Sequence, residues 1–328
     1  MKILILAGGG GTRLFPLSTP EKPKQFIPLA EGKPLIVNTV NRFLGLVKQE
    51  DIIIVTGLKY KQLTEEILKE YGLNKVGLVY EPAARNTAPA IALGVKYINE
   101  KLKASESETI FVAPSDHVIR PTNTYLGYVK KAMDAAKKGG IVTIGIKPKS
   151  PDTGFGYIKA ENKGVSFSKV LQFKEKPDLE TAKGYLKSGD YYWNAGMFCF
   201  SAAGFETQLK AYCPGLFSLY SGSYAKFESK FESCEKISID YAIMEKSSDV
   251  SVVPAEIEWS DIGGWDAYYD YCEKDSDGNV IIGDVQAVDC KGCLIYFDTT
   301  KLKLKIESQK GKIIIQADEN LFIRNRKE

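Results

Sequence analysis

Four consecutive glycines, Gly8 to Gly11, precede Thr12 and Arg13, and Lys22 and Lys24 follow on a stretch stiffened by Pro16, Pro20 and Pro23. Backbone without side chains lets N–H groups approach an anion closely, and successive N–H groups form an anion nest. Arg13 and Lys24 beside such a loop would neutralise a polyphosphate whose departing part is pyrophosphate. Two other phosphate loops do not fit. A dinucleotide fingerprint begun at Gly8 needs glycine where Arg13 stands, and begun at Gly9 it needs glycine where Leu14 stands. The Walker pattern needs a Gly-Lys-Ser/Thr step, which this loop lacks. What remains is a triphosphate site without a Walker lysine.

A triphosphate calls for a hard divalent cation, and such a cation takes carboxylate oxygens. Asp116 follows the apolar run IFVAPS, and Asp261 lies in EWSDIGG. For each, a turn or helix cap is the plain alternative. His117 is the only histidine, so any Ser-His-Asp triad or histidine-rich metal centre must use it. It either orients Asp116 or a phosphate, or packs structurally. Cys290-Lys-Gly-Cys293 has no second cysteine pair or histidine beside it and reads as a turn rather than a zinc site.

These residues need a scaffold, and the hydrophobic pattern supplies one. Continuous apolar runs at 3–7, 51–57, 76–82, 109–119 and 141–146 alternate with amphipathic stretches at 34–46, 60–71, 88–102 and 125–140. This β-α alternation predicts an α/β fold, with a mostly parallel, Rossmann-like mixed sheet flanked by helices. Ligands of such sheets bind beyond the carboxyl ends of the strands. The glycine run, EPAARNTAP and SDH each follow a strand and are expected to converge there. From about Ser150 the strands become more scattered, and they are expected to extend the sheet and form a second lobe over its rim. The tail is nearly all β, and KLKLKIESQKGKIIIQ (301–316) reads as a half-buried hairpin turning at Lys310-Gly311. The expected division is a catalytic domain over 1–270 and a small C-terminal β appendage over 271–328.

The totals agree with an ordinary globular protein. Of the 328 residues, 44% are hydrophobic and 26% charged, and the net charge of +3 is too small for a nucleic-acid binder working through a basic field. No apolar run is long enough for a membrane helix or a signal peptide. Six cysteines without a secretory context point to reduced thiols and a cytoplasmic protein.

LAGGGGTRLFPLSTPEKPKQF resembles the signature of the nucleotidyltransferases that make nucleotide sugars. Its PLS and PKQF are similar to the mannose-1-phosphate guanylyltransferase branch. EPAARNTAPAIAL, FVAPSDHVI, GFGYIK, FKEKPD, YYWNAGMFCF, SIDYAIMEK and WSDIGGWDAYYD follow in the same order as in that family. The resemblance implies the nucleotide-diphospho-sugar transferase fold and transfer of GMP from GTP to mannose 1-phosphate, giving GDP-mannose and pyrophosphate. A sugar nucleotidyltransferase using glucose 1-phosphate with dTTP or UTP is the alternative. The nucleophile is already an anion, so positioning and charge neutralisation suffice without a general base.

By the same resemblance, Arg13 and Lys24 are catalytic and Asp116 and Asp261 hold Mg²⁺. Leu6, Ala7, Gly8, Gly9, Glu81, Pro82, Asn86, Thr87 and Ser115 bind the nucleotide. Gly154, Gly156, Glu175, Lys176, Asn194, Gly196 and Asp240 bind the sugar phosphate. Trp193, Trp259 and Trp265 are expected to pack in the core. Some relatives carry a cupin-type isomerase domain after the transferase; with only a short β tail here, no isomerase activity is expected. The free edge of the tail allows a homodimer.

Overall fold

The computed structural model describes residues 1–29, 32–162, 164–298 and 303–327. Strands β1 (Lys2–Ala7), β2 (Ile52–Gly57), β3 (Gly77–Glu81) and β4 (Thr109–Pro114) are parallel neighbours in the order β3-β2-β1-β4. Their apolar runs are continuous because both faces are covered; Ile3–Ile5, Ile52–Val55 and Ile110–Val112 are all buried. The crossovers carry α1 (Leu35–Phe43), α2 (Lys61–Glu70) and α3 (Thr87–Lys101). Pro89 sits in the first turn of α3, where a missing N–H costs no helical bond.

The run expected as one strand over 109–119 is broken. β4 stops at Pro114 and a short β5 (Val118–Arg120) follows, so Ser115, Asp116 and His117 form a turn. Their polar side chains do not suit a strand buried on both faces.

Further along come α4 (Thr122–Ala136), β6 (Ile141–Ile146), β7 (Tyr157–Ala160), β8 (Ser168–Lys174), α5 (Leu179–Ser188) and β9 (Tyr191–Ser201). They are followed by α6 (Ala202–Tyr212), α7 (Pro214–Tyr220), α8 (Tyr224–Ser229), a π-helix (Asp240–Met244), β10 (Val250–Ala255) and β11 (Glu258–Ser260). The nine-stranded sheet runs β3-β2-β1-β4-β9-β6-β10-β8-β7, and β8 and β9 run against their neighbours. The sheet is mixed and flanked by helices, and a β region follows at the C-terminus.

Two compact units divide the chain. One holds Met1–Gly8, Val37–Ser115 and Ile119–Trp259; the other holds Gly9–Ile36, Asp116–Val118 and Ser260–Glu328. A boundary at 270 falls inside α9 (Trp265–Tyr271), and the second unit takes in the cationic loop and Asp116 as well as the tail. Its own core includes Leu14, Ile27, Leu29, Ile262, Trp265, Tyr268, Leu294 and Ile313.

The tail departs from the expected hairpin. Lys301 and Leu302, the start of that stretch, lie outside the described residues. β12 (Val280–Ile282), β14 (Leu294–Phe297) and β16 (Lys312–Ala317) form one parallel ladder, and β13 (Val285–Val288) and β15 (Leu304–Glu307) form another. The chain thus alternates between two ladders as a short coil, and only β17 (Asn320–Asn325) closes it antiparallel on β16. The reason lies in the side chains: Cys290, Cys293, Ile295 and Ile314 form a buried cluster against which Val285, Ala287 and Ile306 pack. Pairing β15 directly with β16 would forgo that shared interior.

In the first unit, Gly94 of α3 faces Leu4 and Val55. A β-carbon there would lie 2.5 Å from Leu4 Cδ1 and 3.0 Å from Val55 Cγ2. Gly94→Val should therefore destabilise the fold by about 1–3 kcal/mol through overpacking. Urea titration should show a lower midpoint with an unchanged slope; a midpoint equal to that of the parent would refute this packing account.

Candidate active site

In the second unit the charges gather around Lys24. It opens a single turn of 3-10 helix (Lys24–Phe26) after Pro23, and its side chain is buried. The ammonium lies 2.8 Å from Asp116 Oδ2 and also donates to the backbone carbonyl of Asp261, with the Ile262 carbonyl 3.4 Å away. One cation therefore joins three segments of chain that are remote in sequence. Burial pushes the Asp116 carboxyl up, but the Lys24 ammonium, aided by His117 and by hydrogen bonds, holds it below the ordinary range. His117 Nε2 lies 4.0 Å from Asp116 Oδ1. Arg13 is exposed on the loop.

The Asp261 turn is locked in an unusual shape. Ile262, a buried β-branched residue, has φ of 42°. Its N–H donates to Ser260 Oγ at 3.0 Å, and the Gly263 N–H donates to Asp261 Oδ1 at 3.1 Å. Left-handed backbone at such a residue costs about 1–3 kcal/mol and persists where the surroundings over-determine it. α9 follows at once and supports the cationic loop: Trp265 Nε1 donates to the Phe15 carbonyl at 2.9 Å, and the Tyr268 hydroxyl donates to the Leu29 carbonyl at 2.8 Å. Trp265 is thus a core residue, as expected.

The four glycines are not equivalent. A β-carbon on Gly11 would lie 3.1 Å from Lys24 Cβ, and one on Gly8 would lie 2.6 Å from Glu81 Oε2. Among the described residues, nothing lies within 4 Å of the β-carbon positions of Gly9 and Gly10. Gly11 therefore admits the lysine stem and Gly8 a carboxylate, while Gly9 and Gly10 are open. The Gly9 carbonyl accepts from Gln25 Nε2 at 3.3 Å.

In the first unit, Leu6 and Ala7 end β1 and Gly8 follows them, Glu81 ends β3 and Ser115 follows β4. The Ser115 N–H donates to the Leu6 carbonyl at 3.0 Å, and Thr56 Oγ1 donates to the Ala7 carbonyl at 3.0 Å. These carboxyl ends lie where β1 separates strands reached by crossovers in opposite directions, the usual ligand position of an α/β sheet. Burial pushes the Glu81 carboxyl from an ordinary 4.5 up to about 7. Pro82 is partly buried beside it. Asn86 has φ of 69° and caps α3, accepting the Thr87 N–H at 2.8 Å. The Thr87 hydroxyl accepts the Ile239 N–H at 2.8 Å, a contact that the motif alone did not reveal.

The expected sugar residues meet on β7, β8 and β9. Register puts Tyr157 opposite both Lys174 and Trp193, so Gly156, Glu175 and Asn194 are brought together just past these pairs. A β-carbon on Gly156 would collide with Glu175 Oε2, so only glycine leaves room for that carboxylate. Burial and the nearby Asp240 raise the Glu175 carboxyl to about 7, against the pull of Lys176. Its Oε1 lies 3.3 Å from Lys176 Nζ, while Oε2 is buried without a hydrogen-bond partner in the described protein. Lys176 has φ of 45°.

Asn194 is held on every side. Its Nδ2 donates to Asp240 Oδ1 at 2.9 Å, and its Oδ1 accepts from Thr143 Oγ1 at 3.2 Å and the Gly196 N–H at 3.1 Å. β9 bulges between these pairs, and Gly196 takes φ of 65° there. A bulge of this kind re-aims a side chain, here Asn194. Burial raises the Asp240 carboxyl. The Gly154 N–H is already taken by Asp152 Oδ1 at 2.7 Å. Thr143 and Glu245, whose Oε1 accepts the Glu175 N–H at 2.9 Å, were missed from sequence. Glu245 stood within the quoted SIDYAIMEK, but Thr143 lies in a strand with no motif to mark it. Trp193 is buried and packs with Trp259 around Phe155, at 5.1 and 5.0 Å.

Among the described residues no cluster of three or more His, Cys, Asp or Glu has metal-binding geometry. Asp116 and Asp261 are oxygen donors of the kind that Mg²⁺ takes, commonly one or two carboxylates with phosphates and water completing the shell; here Asp116 Oδ2 lies against the Lys24 ammonium and Asp261 Oδ1 accepts the Gly263 N–H. No helix of the described residues is long and apolar enough to cross a membrane.

The nucleotidyl transferase family profile matches residues 2–278. The xanthan biosynthesis protein XanB of Xanthomonas campestris pv. campestris (strain B100) is 37% identical over 333 residues, covering 98% of this chain and 70% of that protein. The mannose-1-phosphate guanylyltransferase of Escherichia coli is 34% identical over 340 residues, covering 98% and 72%. The crystal structure of a mannose-1-phosphate geranyltransferase from Thermus thermophilus superposes with a TM-score of 0.88 at 30% identity, covering 99% of this chain and 95% of that one. With these matches added to the strand-end geometry, the chain belongs to the nucleotidyl transferase family, as an enzyme related to the mannose-1-phosphate guanylyltransferases.

Proposed function

We propose that this enzyme transfers GMP from GTP to α-D-mannose 1-phosphate, releasing pyrophosphate and GDP-mannose. The observation that carries the reading is the buried Lys24 ammonium bound to Asp116 and to the Asp261 backbone. A buried cation paired with one carboxylate and bound to the backbone of the turn that carries a second suits a polyphosphate accompanied by a divalent ion. Asp116 and Asp261 would hold Mg²⁺, which when bound neutralises charge on the α-phosphate and the departing pyrophosphate. Lys24 and Arg13 supply positive charge to the triphosphate. A phosphate oxygen of mannose 1-phosphate attacks the α-phosphorus in line, and the bond from that phosphorus to the bridging oxygen of pyrophosphate breaks. No proton moves, in keeping with a chain that has one histidine.

Base choice rests on Glu81. Guanine presents two donors side by side, N1–H and the 2-amino group, and an ionised carboxylate offers two acceptors to match. The sugar reading rests on Glu175, whose unpaired Oε2 suits a hexose hydroxyl, and on Lys176, which suits the sugar phosphate. Asn194 and Asp240 orient that corner. A homodimer through β17 is part of the proposal: this outer strand pairs only with β16 among the described residues and exposes Leu321 and Ile323.

Pyrophosphate release from a panel of nucleoside triphosphates and hexose 1-phosphates tests the whole. GTP with mannose 1-phosphate should turn over fastest; a preference for dTTP or UTP with glucose 1-phosphate would replace this reading. Asp116→Ala and Asp261→Ala should each lower kcat by at least about a hundredfold; Asp261→Ala should melt like the parent, whereas Asp116→Ala, which leaves the buried Lys24 ammonium without its carboxylate, should stay folded but melt lower. Near-normal Mg²⁺-dependent turnover in either would remove that residue from the metal site.

Glu81 gives a pH test. Its ionised form, the one that accepts from guanine, is populated as pH rises through about 7. KM for GTP should fall from pH 6 to pH 8, and Glu81→Gln should raise it by about tenfold and flatten the profile. Stability moves the opposite way. The native carboxyl keeps its proton up to about pH 7 and an ordinary one only to 4.5, so this contribution is lost as pH rises through that window. Denaturation midpoints of Glu81→Gln should decline less over the same range, and parallel profiles for mutant and parent would contradict the assignment.

A further inference from the structure

The stretch from Glu232 to Glu245 touches two parts of the first unit that the proposed reaction assigns to different substrates. On the nucleotide side, the Arg85 guanidinium donates to the Glu232 carbonyl, and the Ala88 N–H donates to the Ile237 carbonyl at 3.2 Å. The Ile239 N–H donates to Thr87 Oγ1 at 2.8 Å. On the sugar side, Asp240 Oδ1 accepts from Asn194 Nδ2 at 2.9 Å, and Glu245 Oε1 accepts the Glu175 N–H at 2.9 Å. A single π-helical turn, Asp240–Met244, spans the interval. Such turns are rare and gather at functional sites. Ala242, Ile243 and Met244 are fully packed, so this turn cannot shift without moving core side chains.

Thr87 and Asp240 are therefore one peptide apart through space. The hydroxyl anchors the amide of the residue immediately before Asp240, and Asp240 in turn fixes the Asn194 amide. A hydroxyl accepting from Ile239 can still donate its own proton elsewhere, so the contact leaves room for a nucleotide-side role.

We propose that Thr87 is a positioning residue for the hexose phosphate, acting through Ile239 and Asp240 on Asn194. The segment 237–245 then couples the nucleotide-side strand ends to the sugar-side carboxylates. This rests on the functional reading above for which substrate lies where, but the mechanical link itself does not.

The test compares Thr87→Val, which keeps shape and removes the hydroxyl, with Thr87→Ser, which restores it. Steady-state kinetics with GTP and mannose 1-phosphate should show KM for mannose 1-phosphate raised about fivefold in Thr87→Val and returned near the parent in Thr87→Ser, with KM for GTP reading any nucleotide-side role of Thr87 separately. Hydrogen–deuterium exchange on the full chain without substrates should show faster exchange over 239–245 in Thr87→Val only. A rise in KM for GTP alone, failure of serine to restore the sugar KM, or unchanged exchange in Thr87→Val would each overturn the proposal. If the parent transfers no nucleotide to any hexose phosphate, the functional reading fails by itself, and the substrate-free exchange comparison decides the role of Thr87.

Discussion

A buried ammonium must be paired. Taking a lysine charge out of water costs several kcal/mol unless carboxylate and carbonyl oxygens replace the lost hydration. Lys24 imposes that demand on the second unit, and much of the unit's local structure answers it. Asp116 supplies the opposite charge, the Asp261 turn supplies a carbonyl, and Gly11 leaves space for the stem. The left-handed Ile262 belongs to the same arrangement, since the turn that presents the Asp261 carbonyl also bends the next residue into an unfavourable conformation. α9 braces the result from behind through Trp265 and Tyr268.

The first unit follows a different rule, in which carboxyls are buried with little or no opposing charge. Glu81 is buried at a strand end, and Glu175 lies close to Asp240 and Glu245 with one lysine to offset them. Such groups favour their neutral forms and leave acceptor capacity unspent, as the partnerless Glu175 Oε2 shows. A site that must bind neutral donors, such as base edges and hydroxyls, benefits from acceptors held ready. A site that must bind a polyphosphate benefits from cations held ready. The first unit thus holds acceptors ready, and the second holds a cation.

Backbone strain marks the same places. Asn86, Lys176 and Ile262 are non-glycine residues with positive φ, and each adjoins a residue assigned to binding or catalysis. Ile262 is buried and its N–H donates to Ser260 Oγ, while at exposed Asn86 the side chain accepts the Thr87 N–H. This strain is consistent with preorganised sites, where the cost of orientation is met on folding rather than on binding.

The sequence by itself determined the central scaffold and much of the chemistry. Buried parallel strands must be apolar on both faces, so their runs were legible, and the order of glycine loop, EPAARNTAP and SDH along the chain located the strand ends. Residue type also excluded the dinucleotide and Walker loops, because Arg13 and Leu14 stand where glycine was required. Other features depended on contacts between distant residues. The alternating Lys and Leu or Ile of the tail suits a hairpin and a coil equally; only the shared interior of Cys293, Ile295 and Ile314 selects parallel ladders. Thr143, Glu245 and the Thr87–Ile239 bond carry no local signature. Tertiary structure alone decided them, because a hydrogen bond is made by proximity, and burial, which sets the charge of Glu81 and Glu175, belongs to the folded chain rather than to any residue in it.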